Sequence, residues 1–218
     1  MFVGHVGAGL YFARRSVPVL NAGWFVTAAL VQDLLLWVFL LVGLESGRIP
    51  PGARHGWELA YQFPYSHGLL STVVWALGAA ALGWTLVPRI GRARAAFGLA
   101  AAVTSHGLLD LLVHRPQLPL AGPASPRLGF ALWEQMPLAL ALEAALALAG
   151  LWAYLRRAGL SPLRRRLLVG LCLALLLFTA GGMLFAPPPP SITALALSSL
   201  VLQALVCGLV FWIARRAH

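Results

Sequence analysis

Six apolar stretches of membrane-spanning length dominate this sequence and leave little freedom in what the chain can become. They cover residues 17–44, 65–87, 95–113, 128–155, 167–185 and 192–213. A helix needs about 20 predominantly apolar residues to cross the roughly 30 Å hydrocarbon core of a bilayer. Only helices and closed barrels satisfy their backbone groups there. The chain is 60% hydrophobic and 10% charged, against about 25% charged in soluble domains. The expected fold is all-α, a polytopic membrane helical bundle of about six spans. Residues 2–13 are also apolar but reach only partway across at about 1.5 Å per residue, which predicts a short N-terminal half-helix. Four prolines at 187–190 mark the turn between the last two spans. No internal repeat is evident. Residues 1–156, the half-helix and four spans, form the core that carries the notable polar groups; residues 157–218 add two further spans to the same domain.

Charge orients the bundle. The net charge of +10 comes from sixteen basic residues, all arginine. Arg14, Arg15, Arg89, Arg92, Arg94, Arg156, Arg157, Arg164, Arg165, Arg166, Arg215 and Arg216 fall on one side if six spans alternate. The other side receives only Arg48, Arg54, Arg115 and Arg127. The positive-inside rule places the larger set in the cytoplasm, which predicts a multi-pass inner-membrane protein. Arginines confined to short loops between spans also argue against nucleic acid as a partner, despite the basic charge. Cys172 and Cys207 sit in apolar segments without CxxC spacing and read as ordinary buried thiols. The first fifteen residues lack a basic region ahead of their apolar stretch, so they are expected to be retained.

The ionisable residues are few and gather on one side. With this orientation His67 opens span two, and His106, Asp110 and His114 climb the outer half of span three. Glu134 lies in the outer third of span four and Asp33 slightly outside the middle of span one. His5 sits on the half-helix, near midplane depth. Each such group costs at least about 2.5–3.5 kcal/mol at the centre of a membrane helix and points to function by default. His106, Asp110 and His114 recur at i, i+4 and i+8 and so share a helix face. Two imidazoles and a carboxylate suit zinc, or manganese as a second choice, with Asp33, His67 and His5 completing the shell from other helices. Metal coordination lowers the pKa of bound water towards about 7 and readies it for attack on a phosphoryl or acyl centre.

Each residue also has a plainer reading. A single His or Asp in a membrane helix often serves helix–helix hydrogen bonding. His114, beside Arg115 and Pro116, is as readily an interfacial histidine as a ligand. Glu134 reads as a general acid/base, a partner to a ligand, or a buried acid kept protonated; Glu134 and His114 are the candidates for proton transfer. Glu143 lies deeper and reads as structural, pairing with a polar group on a neighbouring span. His55 and Glu58 sit in an outer loop where solvation is the default, and His218 is terminal.

Several stretches also resemble a known family. They are G-H-V-G-A-G-L at 4–10, Q-D-L-L-L-W at 32–37, P-Y-S-H-G-L-L at 64–70, S-H-G-L-L-D-L-L-V-H-R-P at 105–116 and G-F-A-L-W-E at 129–134. Together, in this order, they resemble the broad bacterial family of membrane-bound metal-dependent hydrolases. The resemblance covers roughly the first 155 residues. That family is distantly similar to the zinc phospholipases C and the fungal single-strand nucleases, whose ligands run His, Asp, His, then His-x-x-x-Asp. The order here is His5, Asp33, His67, His106, Asp110. The resemblance implies that Asp33, His67, His106 and Asp110 hold one metal, with His5 and Asp110 contributing to a second. The later His-x-x-x-Glu element of the phospholipases is absent as such.

Two functional classes follow. One is a hydrolase acting on a phosphoester, in a lipid or lipid-linked substrate that enters from the outer leaflet, with Arg48, Arg54 and Arg115 available to hold a phosphate bidentately. The other is a non-catalytic accessory subunit of a membrane complex, its His/Asp cluster structural or degenerate. Haem or ion transport through His67 and His106 is a third, weaker class, since haem needs facing histidines free of nearby carboxylates.

Overall fold

The computed structural model describes residues 1–14 and 20–215; Arg15, Arg216 and His218 lie outside them. The described chain is a helical bundle: α1 (Phe2–Ala13), α2 (Ala22–Leu41), α3 (Leu69–Leu86), α4 (Arg92–Val113), α5 (Met136–Leu155), α6 (Pro162–Phe185) and α7 (Ile192–Ile213). The last six are long and apolar enough to cross a membrane, and α1 is not. This is the architecture of a multi-pass membrane protein.

Local chemistry sets the helix ends. Asn21 caps α2 by accepting from Gly23 N–H at 2.8 Å, and Ser191 caps α7 by accepting from Ala194 N–H at 3.0 Å. Ser161 followed by Pro162 at the first helical position starts α6 earlier than its apolar run suggests, so Arg164, Arg165 and Arg166 lie on the helix. The largest departure is at α5. Residues 128–135, expected to be helical, comprise the end of a short strand, a bend and a 3-10 turn instead. Gly129 and Ala131 take positive φ values of 154° and 57°, which a helix cannot continue. A side chain at Gly129 would collide with the His114 and Arg115 carbonyls. From this bend Phe130 N–H donates to Leu111 O (2.9 Å) and Ala131 N–H to His114 O (2.8 Å). The bend thereby satisfies carbonyls at the end of α4 that no helical turn follows.

At the end of the bundle remote from the arginine-rich loops, two short antiparallel ribbons close the top. β1 (Ser46–Arg48) pairs with β2 (Ala60–Gln62), and β3 (Leu118–Pro119) pairs with β4 (Arg127–Leu128). Phe63 and Leu118 pack with Leu36 beneath them. Within the same loops Glu58 accepts from the backbone N–H of His55 at 2.8 Å and of Arg54. Those bonds hold its carboxyl below the usual range.

Lipid supplies no hydrophobic drive between helices, so close approach of small residues carries the association. Gly7 of α1 and Gly150 of α5 meet backbone to backbone, and a Cβ on either would overlap the opposite chain. On its other side Gly9 lies against the backbone of Phe25 and Val26 in α2. Phe25, Leu10, Leu30 and Leu99 are fully buried where α1, α2 and α4 converge. The half-helix is therefore buried against its neighbours at the centre of the bundle. Its first turn is satisfied from across space: Gly4 N–H donates to Glu143 Oε2 of α5 at 3.2 Å. Glu143 is structural, as expected, and its partner is a helix terminus.

Gly7→Ala should force α1 from α5 and cost about 1–3 kcal/mol, as overpacking does. Gly78→Ala, where a Cβ meets nothing within 4 Å, should leave the melting temperature in detergent unchanged.

Candidate metal centre

Four side chains from three helical regions point at one centre. Asp33 comes from α2, His67 from the turn before α3, and His106 and Asp110 from one face of α4. His67 Nε2 and His106 Nε2 lie 3.2 Å apart. His67 Nε2 is 3.4 Å from Asp33 Oδ1 and 3.3 Å from Asp110 Oδ2. His106 Nε2 is 3.7 Å from Asp33 Oδ1 and 3.3 Å from Asp110 Oδ2. All four donor atoms fall within 4.8 Å of one another. A regular tetrahedron with metal–ligand bonds of about 2.0–2.1 Å has edges of about 3.3–3.4 Å. Five of the six donor–donor distances, at 3.2–3.7 Å, lie near that edge, so the group could hold a divalent ion.

Hydrogen bonding fixes which ring nitrogens face the centre. His106 Nδ1 sits 2.6 Å from the Ala29 carbonyl, which only accepts, so Nδ1 carries the proton and Nε2 presents a lone pair. At His67 the constraint comes through Ser66. The Ser66 hydroxyl donates to Glu45 Oε2 (2.6 Å) and so accepts from His67 Nδ1 (2.9 Å). Glu45 is anchored in turn by the N–H groups of Tyr65 and Ser66, both at 2.8 Å. Two neutral imidazoles with lone pairs facing each other at 3.2 Å repel unless a cation or proton lies between them. Ion and proton therefore compete for one position.

Further residues hold this group in place. Gln203 Nε2 of α7 donates to Asp33 Oδ2 at 3.2 Å. Gln32 Nε2 donates to Ser66 O (2.9 Å) and Thr72 Oγ1 (2.8 Å), tying α2 to the turn that carries His67. α7 thus helps hold the group in place. Gln203 was legible as a polar residue inside an apolar span; Glu45, in a loop, carried no such signal.

The other candidates are placed as follows. His5 is fully buried and stacks on His106, rings 3.8 Å apart and 13° from parallel. Its Nε2 faces the other Asp110 oxygen, Oδ1, at 3.1 Å, where the Met1 amino group also lies at 3.5 Å. It stands beside the four-donor group, not within it. His114 ends α4 with extended backbone, so it leaves the i+8 position of the helical face. Gln117 Nε2 donates to its Nδ1 (3.2 Å), leaving the proton on Nε2, 3.6 Å from Asp110 Oδ2. Burial lowers the His114 pKa, which keeps the ring neutral. Glu134 is exposed in the 3-10 turn before α5 and pairs with Arg115 at 3.0 Å, both side chains about half exposed. Arg48 and Arg54 are exposed in the outer loops. Glu134 and these three arginines all lie outside the lining of the cavity described next, because the bend at Gly129 keeps Glu134 out of α5.

That cavity, of about 570 Å³, opens beside the donor group. Asp33, His67, Asp110 and His114 line it together with Trp37, Trp133, Glu143 and parts of α6 and α7. Comparison with protein-family models, curated proteins and solved structures found no match.

Glu45→Gln removes the acceptor that fixes Ser66 and the His67 tautomer. Metal affinity, read by competition with a fluorescent zinc chelator, should fall about 10–100-fold, the usual effect of losing a partner that orients a ligand. An unchanged affinity would remove Glu45 from the site.

Proposed function

We propose that this protein is an integral-membrane, metal-dependent hydrolase acting on a phosphoester of a lipid or lipid-linked substrate. The observation that carries this reading is a tetrahedral His/Asp donor set bordering a cavity, in the half of the bundle remote from the arginine-rich loops. Zinc is the ion the donor set favours, with manganese second. The positive-inside rule puts the cavity in the outer leaflet of the inner membrane. The resemblance to membrane-bound metal-dependent hydrolases agrees with the ligand order.

A bound divalent ion supplies Lewis acidity and lowers the pKa of coordinated water towards about 7. The protein's own residues supply the rest. Asp110 is held from several sides, so its carboxylate cannot swing away from the donor group. Asp33 borders the cavity and is steered by Gln203. His114 presents a neutral Nε2–H at the cavity wall and is the residue placed to hydrogen-bond a leaving oxygen. Trp37 and Trp133 line the same cavity, whereas Arg48, Arg54 and Arg115 do not.

A second reading has one observation in its favour. Four protein donors close a tetrahedral shell, which is the habit of structural zinc sites. That would suit an accessory subunit of a membrane complex. The adjoining cavity favours the first reading, since a structural site needs no access.

Detergent-purified protein is expected to carry stoichiometric zinc or manganese, lost in His106→Ala and Asp110→Ala. Headgroup release from vesicles of phosphatidylglycerol and phosphatidylethanolamine, and hydrolysis of bis(p-nitrophenyl) phosphate, should be lost with it. Absence of stoichiometric metal from the wild type would sink the proposal, and metal without turnover on either substrate would leave the structural site.

A further inference from the structure

The cavity reaches from the donor group to residues of both of the last two helices. α7 packs along α2, whereas α6 packs against α5, and the two touch each other only sparsely. The gap falls in the last third of α6 and the first half of α7. Its walls are Phe178, Gly182 and Met183 on one side and Leu195, Ser199 and Leu202 on the other. Small residues keep it open: a Cβ at Gly182 would meet nothing within 4 Å. Phe178, at the rim, is 58% exposed on a helix that crosses the membrane. What surrounds this rim is hydrocarbon, not water.

Polar groups are placed differently. Thr179 and Gln203 are more than nine-tenths buried and line the cavity. Asp33, steered by Gln203, thus stands at one end of the cavity and the exposed Phe178 at the other. An amphiphile with its polar end near Asp33 and its hydrocarbon towards Phe178 would fit this lining.

We infer that the gap between α6 and α7 is a lateral portal that holds the acyl chain of a bilayer lipid, with the lipid's polar end at the donor group. The chain enters from the leaflet beside the outer halves of these helices without passing through water. Gly182 and Ser199 set the portal's width, and Phe178 guards its rim. The inference takes the amphiphile as substrate from the reading above and names where its chain lies.

The test uses full-length protein in nanodiscs of phosphatidylglycerol carrying a diazirine on one acyl chain, with photo-labelled residues mapped by mass spectrometry. Labelling at Phe178, Met183 and Leu202 is expected to exceed by several-fold that at Leu177 and Leu205, which are exposed but outside the cavity. Gly182→Trp should fill the portal and lower the inner labels several-fold, leaving Leu177, Leu205, bound zinc and melting temperature unchanged. Should that variant lose its zinc or melt early, Ser199→Phe, from the opposite wall, is read the same way. Even labelling of inner and outer positions, or inner labels indifferent to both substitutions, overturns the inference. His106→Ala should keep the inner labels. Chain capture by wild-type protein that proves metal-free would therefore refute the hydrolase reading alone, and metal-loaded protein with even labelling would refute the portal alone.

Discussion

The Asp110 carboxylate is the contact on which the rest of this bundle depends. An ionised carboxylate buried in a membrane bundle is tolerated only if it is met on every side. Here one oxygen faces His67, His106 and His114 and the other faces His5 and the Met1 amino group. These partners come from α1, from the turn before α3, and from α4 itself. Satisfying one carboxylate thus fixes the relative positions of several helices, in an environment where apolar contact cannot distinguish a neighbour from lipid. Each approach has its own support: Glu143 for the start of α1, Ala29 for His106, and the Glu45–Ser66 pair for His67.

How much of this was legible in the sequence depended on whether a residue's cost was visible there. Asp33, His67, His106 and Asp110 stood out because ionisable residues are few in these apolar segments, and the i, i+4 spacing of His106 and Asp110 put both on one face. The spans were equally plain, since about 20 apolar residues admit few alternatives. Glu45 was hidden because a carboxylate in a loop is ordinarily solvated; only the folded turn reveals it buried beneath Ser66. Gln32 and Gln203 interrupt apolar runs, but an amide costs less than a charge there and could not say what it would meet. Glu134 was misjudged for a local reason. Its neighbours Gly129 and Ala131 adopt backbone angles that stop the helix short, which turns an apparent membrane acid into a surface residue paired with Arg115.

The same bend shows how a strained segment can serve a site without touching the reaction. Ala131 in the left-handed region costs roughly 1–2 kcal/mol. In return the segment seals the end of α4 and sets Trp133 against His114, rings 4.3 Å apart. His114 is then held by packing on one face and by Gln117 on its Nδ1, which leaves only the Nε2 edge free to act.

The shortness of α1 has a consequence for how the molecule is made. A helix of 12 residues cannot reside stably in a bilayer by itself, yet this one is buried at the centre of the bundle. Its seat includes α5, where Gly150 admits Gly7 and Glu143 receives Gly4, and more than a hundred residues separate those partners in the chain. When α1 is synthesised, the α5 part of the surface that will hold it does not exist. The seat of this helix is therefore complete only after α5 has been made, later than the four donor residues at 33 to 110.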